Sequence, residues 1–389
     1  DWSSDVCSSD LSTLYINTTC MPFDLPVEEI REELEQDPAG EGRGGPLVAR
    51  LAPKWSQFMA DISKGDDDVP RSLQQYFGYI LTPETDQERF LYLVGKPGVG
   101  KGTILDASAE VVGVDSVAAS SLNKIIGRFD LAPFLGKKLA HLDEMLAGAS
   151  TDLVEATRSL LSIVGNALQS VDLKNRDVMG SVRLSVKVIA TGNKVQRFID
   201  PSGAFGRRLL IVRIPKLGKP DPEFKKSIRR EARGIMVWAF FGLLDLAKSG
   251  TFVQPANGLE LRRQFMRLSS KVASFAQDCL MVEEEVEEHQ TGHFSARASL
   301  LYGIFTQWCE ANGIPKPMPM EDFASDLAAA VESFRAESIQ VGTDQFAIWH
   351  GVRPRLKIDD RPAKDWDAQC HQASTSTIYD DGSFIAKHA

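Results

Sequence analysis

Cysteine is scarce in this sequence: there are five in 389 residues, and no two form a CxxC pair. That excludes a disulfide framework and a zinc ribbon and suits a reducing cytoplasm. His289 and His293 have the spacing of helical metal ligands, but they sit in the acidic stretch EEEVEEHQTGH. A solvated surface is the favoured reading there over a metal site. Long apolar runs are missing too. The longest, GIMVWAFFGLLDLA from Gly234 to Ala247, is interrupted by Asp245 and falls short of the roughly 20 residues that cross a bilayer. It reads as a buried helix, with no membrane partner. Excess positive charge is also lacking, with 44 Lys and Arg against 53 Asp and Glu and a net charge of −9. Broad nucleic-acid binding is therefore unsupported, and any DNA contact must be confined to a few local basic groups. What remains is an ordinary soluble composition, 43% hydrophobic and 25% charged, long enough for two or three domains.

Residues 12–52 combine a short acidic helix, VEEIREELEQ, with a Gly-rich linker, AGEGRGG. Residues 53–87 place aromatic and aliphatic side chains at helical spacing, predicting two or three packed helices. Residues 88–215 alternate apolar strand-like runs with helical segments, the pattern of an α/β unit. Its strand candidates are FLYLVG (90–95), KKLAHLD (137–143), LSVKVIAT (184–191) and RLLIVRI (208–214). A helical stretch from Asp221 to Lys248 and a linker fill 216–258. Residues 259–352 predict helices near 260–283, 296–312 and 320–334, followed by a two-stranded ribbon, which suits a winged-helix-like domain. The remainder, 353–389, reads as a loose polar tail.

The strongest chemical signal is FLYLVGKPGVGKGTIL. An apolar strand runs into Gly95, and Gly98, Val99, Gly100, Lys101, Gly102 and Thr103 lead into a helix. Such glycines let the backbone turn tightly and aim its N–H groups at phosphate oxygens, while the lysine bridges the terminal phosphates of ATP. The strict P-loop pattern wants Ser or Thr directly after the lysine. Gly102 stands there, so the hydroxyl on the Mg2+ side is assigned to Thr103. About forty residues on, LAHLDEM sets Asp143 and Glu144 at a second strand end. One carboxylate suits magnesium, the other the attacking water. His141 shares a sheet face with Asp143, and a packed histidine is the favoured reading over a catalytic one. A third strand ends in Asn193, a candidate γ-phosphate sensor that could equally be a simple turn residue. Arg207 and Arg208 precede a fourth strand and are candidates for an arginine finger, or for surface ion pairs. Between the acidic pair and Asn193, two short strand-like runs flank Lys174-Asn175-Arg176, a hairpin with a basic tip. Lys174 and Arg176 on such a tip could hold single-stranded DNA in a ring channel, or form an ordinary charged turn.

In their order, these elements resemble a superfamily 3 helicase, an AAA+ type ATPase, of the phage and plasmid primase-helicase family related to the poxvirus primase-helicase. The resemblance spans about residues 50–350 and includes PKWSQFMADI, EARGIMVWAFFGLLDLAKSGTF and LYGIFTQWCEANG. It implies an α/β P-loop NTPase core with a helical lead-in and a C-terminal winged-helix-like domain. It also implies a hexameric ring that hydrolyses ATP with Mg2+ and translocates on single-stranded DNA during replication. By match, Lys101, Thr103, Asp143, Glu144 and Asn193 take the nucleotide roles, Arg208 ahead of Arg207 the finger, and Lys174 the DNA grip. Residues 1–11, DWSSDVCSSDL, resemble the translation of a sequencing adapter. They have neither the basic start nor the apolar core of a signal peptide. A primase domain is then expected upstream of the fragment.

Two other readings compete. GKGT also occurs in adenylate-kinase-like loops, but a phosphotransferase needs a lid and an arginine-rich acceptor site. A DNA-binding initiator or loader with weak or no ATPase activity would make Gly102 the mark of a degenerate loop, with function carried by 259–352.

Overall fold

Why strands form where they do is clearest in Phe90–Val94, five apolar residues in a row, all buried, as expected for a strand covered on both faces. The structure, a computed structural model, describes residues 22–37, 43–125, 131–143, 145, 153–171, 179–195, 198, 204–217, 222–282, 294–314, 316–331, 333–341, 344–355 and 378–379. The chain divides into two compact units, Asp1–Gln196 with Arg207–Arg263, and Arg197–Gly206 with Gln264–Ala389.

The first unit begins with α1 (Val27–Gln36), α2 (Gly45–Leu51), α3 (Pro53–Ser63) and α4 (Asp68–Ile80). There follow β1 (Phe90–Val94), α5 (Lys101–Val112), β2 (Val117–Ser120), β3 (Leu139–Leu142) and α6 (Leu153–Val164). Next come β4 (Leu168–Val171), β5 (Met179–Arg183), β6 (Lys187–Gly192), α7 (Ala204–Arg208), β7 (Leu209–Arg213) and α8 (Pro222–Ser249); the first three residues of α7 belong to the second unit. Five strands form one sheet in the order β2-β3-β6-β1-β7, with every neighbouring pair parallel. Four of these were the predicted strands; β2 is new. Its sequence, VAAS, is rich in small residues that carry little strand preference. β4 and β5 pair antiparallel where the basic-tipped hairpin was expected, and Lys174 and Arg176 themselves lie outside the described residues.

α4 and α8 pack backbone to backbone. A Cβ on Gly242 would lie 1.9 Å from the Gln74 carbonyl oxygen, and one on Gly78 would lie 2.3 Å from the Leu243 nitrogen, so only glycine allows this approach. The crossing also explains Asp245, the charge that interrupts the apolar run. Arg71 reaches it with two hydrogen bonds of 2.8 Å, and Gln75 adds a third of 2.7 Å. Burial pulls the Asp245 carboxyl up, but these bonds and the nearby guanidinium outweigh burial and leave it below its usual value. Trp55 on α3, fully buried, joins Phe58, Phe77 and Trp238 through ring contacts of 5.2–5.8 Å.

α9 (Ala256–Ser269) leads from the first unit into the second, which adds α10 (Lys271–Cys279), β8 (Leu280–Val282), β9 (Ser295–Arg297), α11 (Ala298–Ala311) and α12 (Met320–Ala330). It ends with β10 (Arg335–Val341), β11 (Asp344–His350), β12 (Val352–Pro354) and β13 (Ile378–Tyr379). The ribbon expected near 338–352 is the antiparallel β10–β11 pair. The single helix expected over 260–283 is instead two. Ser270 adopts an extended conformation between them and its Oγ accepts from the Ala273 N–H at 3.3 Å, an N-cap that restarts the helix. Residues 280–282 leave it as β8, which pairs antiparallel with β12 in a separate two-stranded sheet. Phe275, Phe305, Phe323 and Trp349 form the core of this unit, with Phe305 and Phe323 stacked at 4.3 Å. Among the described residues no helix is long and apolar enough to cross a membrane.

Candidate nucleotide-binding site

Parallel register brings the predicted residues together. Leu142 of β3 lies beside Ala190 of β6, and Val94 of β1 beside Gly192. The residues that follow these strands, Gly95, Asp143 and Asn193, are therefore delivered to the same carboxyl edge of the sheet, where open α/β sheets bind ligands. A cavity of about 1120 Å3 opens there, lined by Pro97 through Thr103 together with Asp143, Thr191, Gly192 and Asn193.

The turn after β1 depends on glycine. Gly98 and Gly100 have φ of 78° and 100°, conformations that side chains disfavour. A Cβ on Gly100 would also meet the Phe58 ring at 2.9 Å. α5 begins at Lys101, so the unsatisfied N–H groups and positive end of a 12-residue helix face the turn. The Lys101 ammonium donates to the Gly95 carbonyl, to the Lys96 carbonyl at 3.0 Å and to Asn193 Oδ1 at 3.1 Å. Left-handed glycines, a helix start and a lysine curled into the turn are a donor set of the kind that suits phosphate oxygens.

Thr103 is buried and lines the cavity. Gly102 is not required by packing, since a Cβ there would meet only Lys225 Nζ, at 3.9 Å. The Asp143 carboxylate accepts a long hydrogen bond, 3.5 Å, from Thr191 Oγ1. Thr103 and Asp143 bring side-chain oxygens that would suit Mg2+, which prefers oxygen ligands and keeps part of its water shell. Glu144 lies outside the described residues. His141 contacts Ser108 Oγ at 3.0 Å, and burial lowers its pKa to about 4, so its imidazole is neutral near pH 7 and packs between β3 and α5.

Neither candidate finger lines the cavity. The Arg208 guanidinium pairs with Glu88 of the same chain. Arg207 is exposed, and its carbonyl accepts from Arg89. Sequence reasoning missed one wall. Lys54, Gln57, Phe58 and Asp61 of α3 line the same cavity, together with Leu217, Phe224 and Lys225. The signal was their i, i+3, i+4, i+7 spacing, a second stripe on a helix read only as lead-in.

Residues 93–208 match a protein family described as being of unknown function, DUF5906, a stretch that contains Lys101, Asp143, Asn193 and both arginines. Over 75 residues the chain is 28% identical to an uncharacterized mitochondrial protein, ymf21, of Marchantia polymorpha. That match covers 19% of this chain and 42% of the relative, so the chain spans about two fifths of the relative's length. Among solved structures, the apo C-terminal region of NrS-1 aligns over 76% of this chain and 74% of its own, with a TM-score of 0.48 and 12% identity. An A-form apo structure of the same NrS-1 region aligns over the same shares, with a TM-score of 0.46 and 12% identity.

Proposed function

We propose that the first unit is an ATP-hydrolysing motor of the superfamily 3 helicase type. It would act as a hexameric ring on single-stranded DNA in the replication of a phage or mobile element, as the C-terminal part of a primase-helicase. The observation that carries this reading is the Lys101 ammonium lying between the turn after β1 and Asn193 at the end of β6, with Asp143 in the same cavity. A nucleotide-binding loop joined to a polar residue on a neighbouring strand end is what a motor needs, because the state of the terminal phosphate must be felt beyond the loop.

In this reading Lys101 and the N–H groups of the turn hold the phosphates. Thr103 and Asp143 hold Mg2+, which supplies charge neutralisation at the phosphates when bound. Glu144 orients the attacking water, Asn193 senses the γ-phosphate, and Arg207 or Arg208 reaches a neighbouring subunit's nucleotide. Lys174 and Arg176 grip the DNA strand.

Unwinding of a forked DNA duplex by the full chain tests the proposal. Strand separation that requires ATP, disappears in Lys101→Ala, and is lost in Lys174→Ala while basal hydrolysis persists is the expected result. Normal unwinding by Lys174→Ala would remove the hairpin from the account, and site-specific duplex binding without hydrolysis would favour the initiator reading.

A further inference from the structure

α3 turns one polar-aromatic stripe toward the loop. Lys54, Gln57, Phe58 and Asp61 line the cavity, while Trp55, Met59 and Ile62 are buried in the core. Leu217 and Phe224 line the cavity with the stripe, and the rings of Phe58 and Phe224 lie 5.2 Å apart at 51°. The cavity thus has two regions of different chemistry. One is the glycine turn with the Lys101 ammonium. The other has aromatic and aliphatic walls edged by a polar pair, the usual composition of a site for a flat, mostly apolar ring.

The polar pair has a definite sense. Gln57 Nε2 donates to Asp61 Oδ1 at 2.8 Å. That bond uses one of the amide's two N–H donors and leaves two acceptors, Oε1 of Gln57 and the second carboxylate oxygen of Asp61. We propose that this stripe is a nucleobase subsite selective for adenine. It would read the exocyclic amine through these acceptors, with Phe58, Leu217 and Phe224 packed against the ring. The inference rests on the nucleotide reading above and deepens it by assigning the side chains that select the base. Hypoxanthine carries a carbonyl where adenine carries its amine, so ITP sets an acceptor against acceptors, and a mispaired polar contact of this kind weakens binding about tenfold or more.

Equilibrium binding of ATP and of ITP, with Mg2+, to the full chain and to Gln57→Ala and Asp61→Asn is the test. Both positions are exposed, so the variants are expected to fold. The full chain should bind ATP at least about tenfold more tightly than ITP. Gln57→Ala should shrink that ratio. Asp61→Asn, which offers N–H donors to the inosine carbonyl, should shrink it further or invert it, a change that a merely structural role for Asp61 would not produce. Equal affinity of the full chain for ATP and ITP overturns the base subsite and leaves the phosphate site standing. A ratio unchanged in Asp61→Asn removes Asp61 from the subsite, and binding of neither nucleotide overturns both readings.

Discussion

Lys101 Nζ lies 3.1 Å from Asn193 Oδ1, across 92 residues of sequence. The contact exists because β1 and β6 are neighbours in a parallel sheet, so that the residues after each strand meet. If Asn193 senses the terminal phosphate, Asn193→Ala should bind ATP within a few-fold of the parent yet turn it over about 100-fold more slowly, as expected when a positioned polar contact to developing charge is lost. Single-turnover kinetics beside equilibrium binding separate the two. An equal loss in both would make Asn193 a plain binding residue.

The two arginines differ in exposure. Arg208 is held by Glu88 within its own chain, whereas Arg207 is exposed; if one of them acts on a neighbouring subunit's nucleotide, we propose Arg207. Arg207→Ala should lower DNA-stimulated hydrolysis about 1000-fold with unchanged melting. Arg208→Ala should lose at most about 1 kcal/mol of stability, the usual worth of a partly exposed pair. Steady-state hydrolysis and thermal melting of both variants decide it, and the opposite pattern would return the finger to Arg208.

Lys187 is buried at the start of β6, with its ammonium 5.1 Å from the centroid of the Tyr79 ring. Burial lowers its pKa from 10.5 to about 8, against the upward pull of Glu84 and Asp86. Between those pH values the unfolded chain keeps a proton that the folded chain has released, so this lysine's contribution makes stability rise as pH goes from 8 to 10.5 and fall as pH returns to 8. The swing is roughly 3 kcal/mol at 1.36 kcal/mol per pKa unit. Denaturant unfolding at pH 8 and pH 10, compared with Lys187→Met, should show the slope in the parent and its loss in the variant. Parallel slopes would contradict it.

Arg71 and Asp245 join α4 to α8. Arg71→Ala should cost about 2 kcal/mol, because a largely buried carboxylate loses its charged partner. Since the Asp245 pKa is lowered in the fold, the pair's contribution is complete above the ordinary carboxylate value. It is lost as pH falls through the lowered one. Urea unfolding of parent and variant at neutral pH and in acid should therefore converge as the pH drops.

Much of this architecture was legible because it follows from local pattern. The strands FLYLV, LAHL and LLIVR are mostly apolar, with only His141 and the terminal Arg213 as exceptions, as suits strands buried in a parallel sheet. The loop carries its glycines and lysine in one contiguous segment. β2 escaped because Ala118, Ala119 and Ser120 have no strand signature of their own, and their pairing with β3 is decided by the sheet. The helix break at Ser270 was hidden by a helical pattern that continues on both sides, and a single capping hydroxyl makes the difference. Gln57 and Asp61 lie on a helix whose sequence signal is the apolar spacing of its other face. Only the tertiary fold sets them on the same cavity as a phosphate loop some forty residues away. Asp245 was read correctly as belonging to a buried helix, but its partner Arg71 lies 174 residues earlier and leaves no local trace.

The account stands or falls on the loop around Lys101. The most direct measurement is the rate of ATP hydrolysis by the full chain, with and without single-stranded DNA, beside Lys101→Ala. The account predicts turnover that DNA stimulates and that falls to background in the variant. Turnover that survives Lys101→Ala, or none in the full chain under either condition, would contradict it.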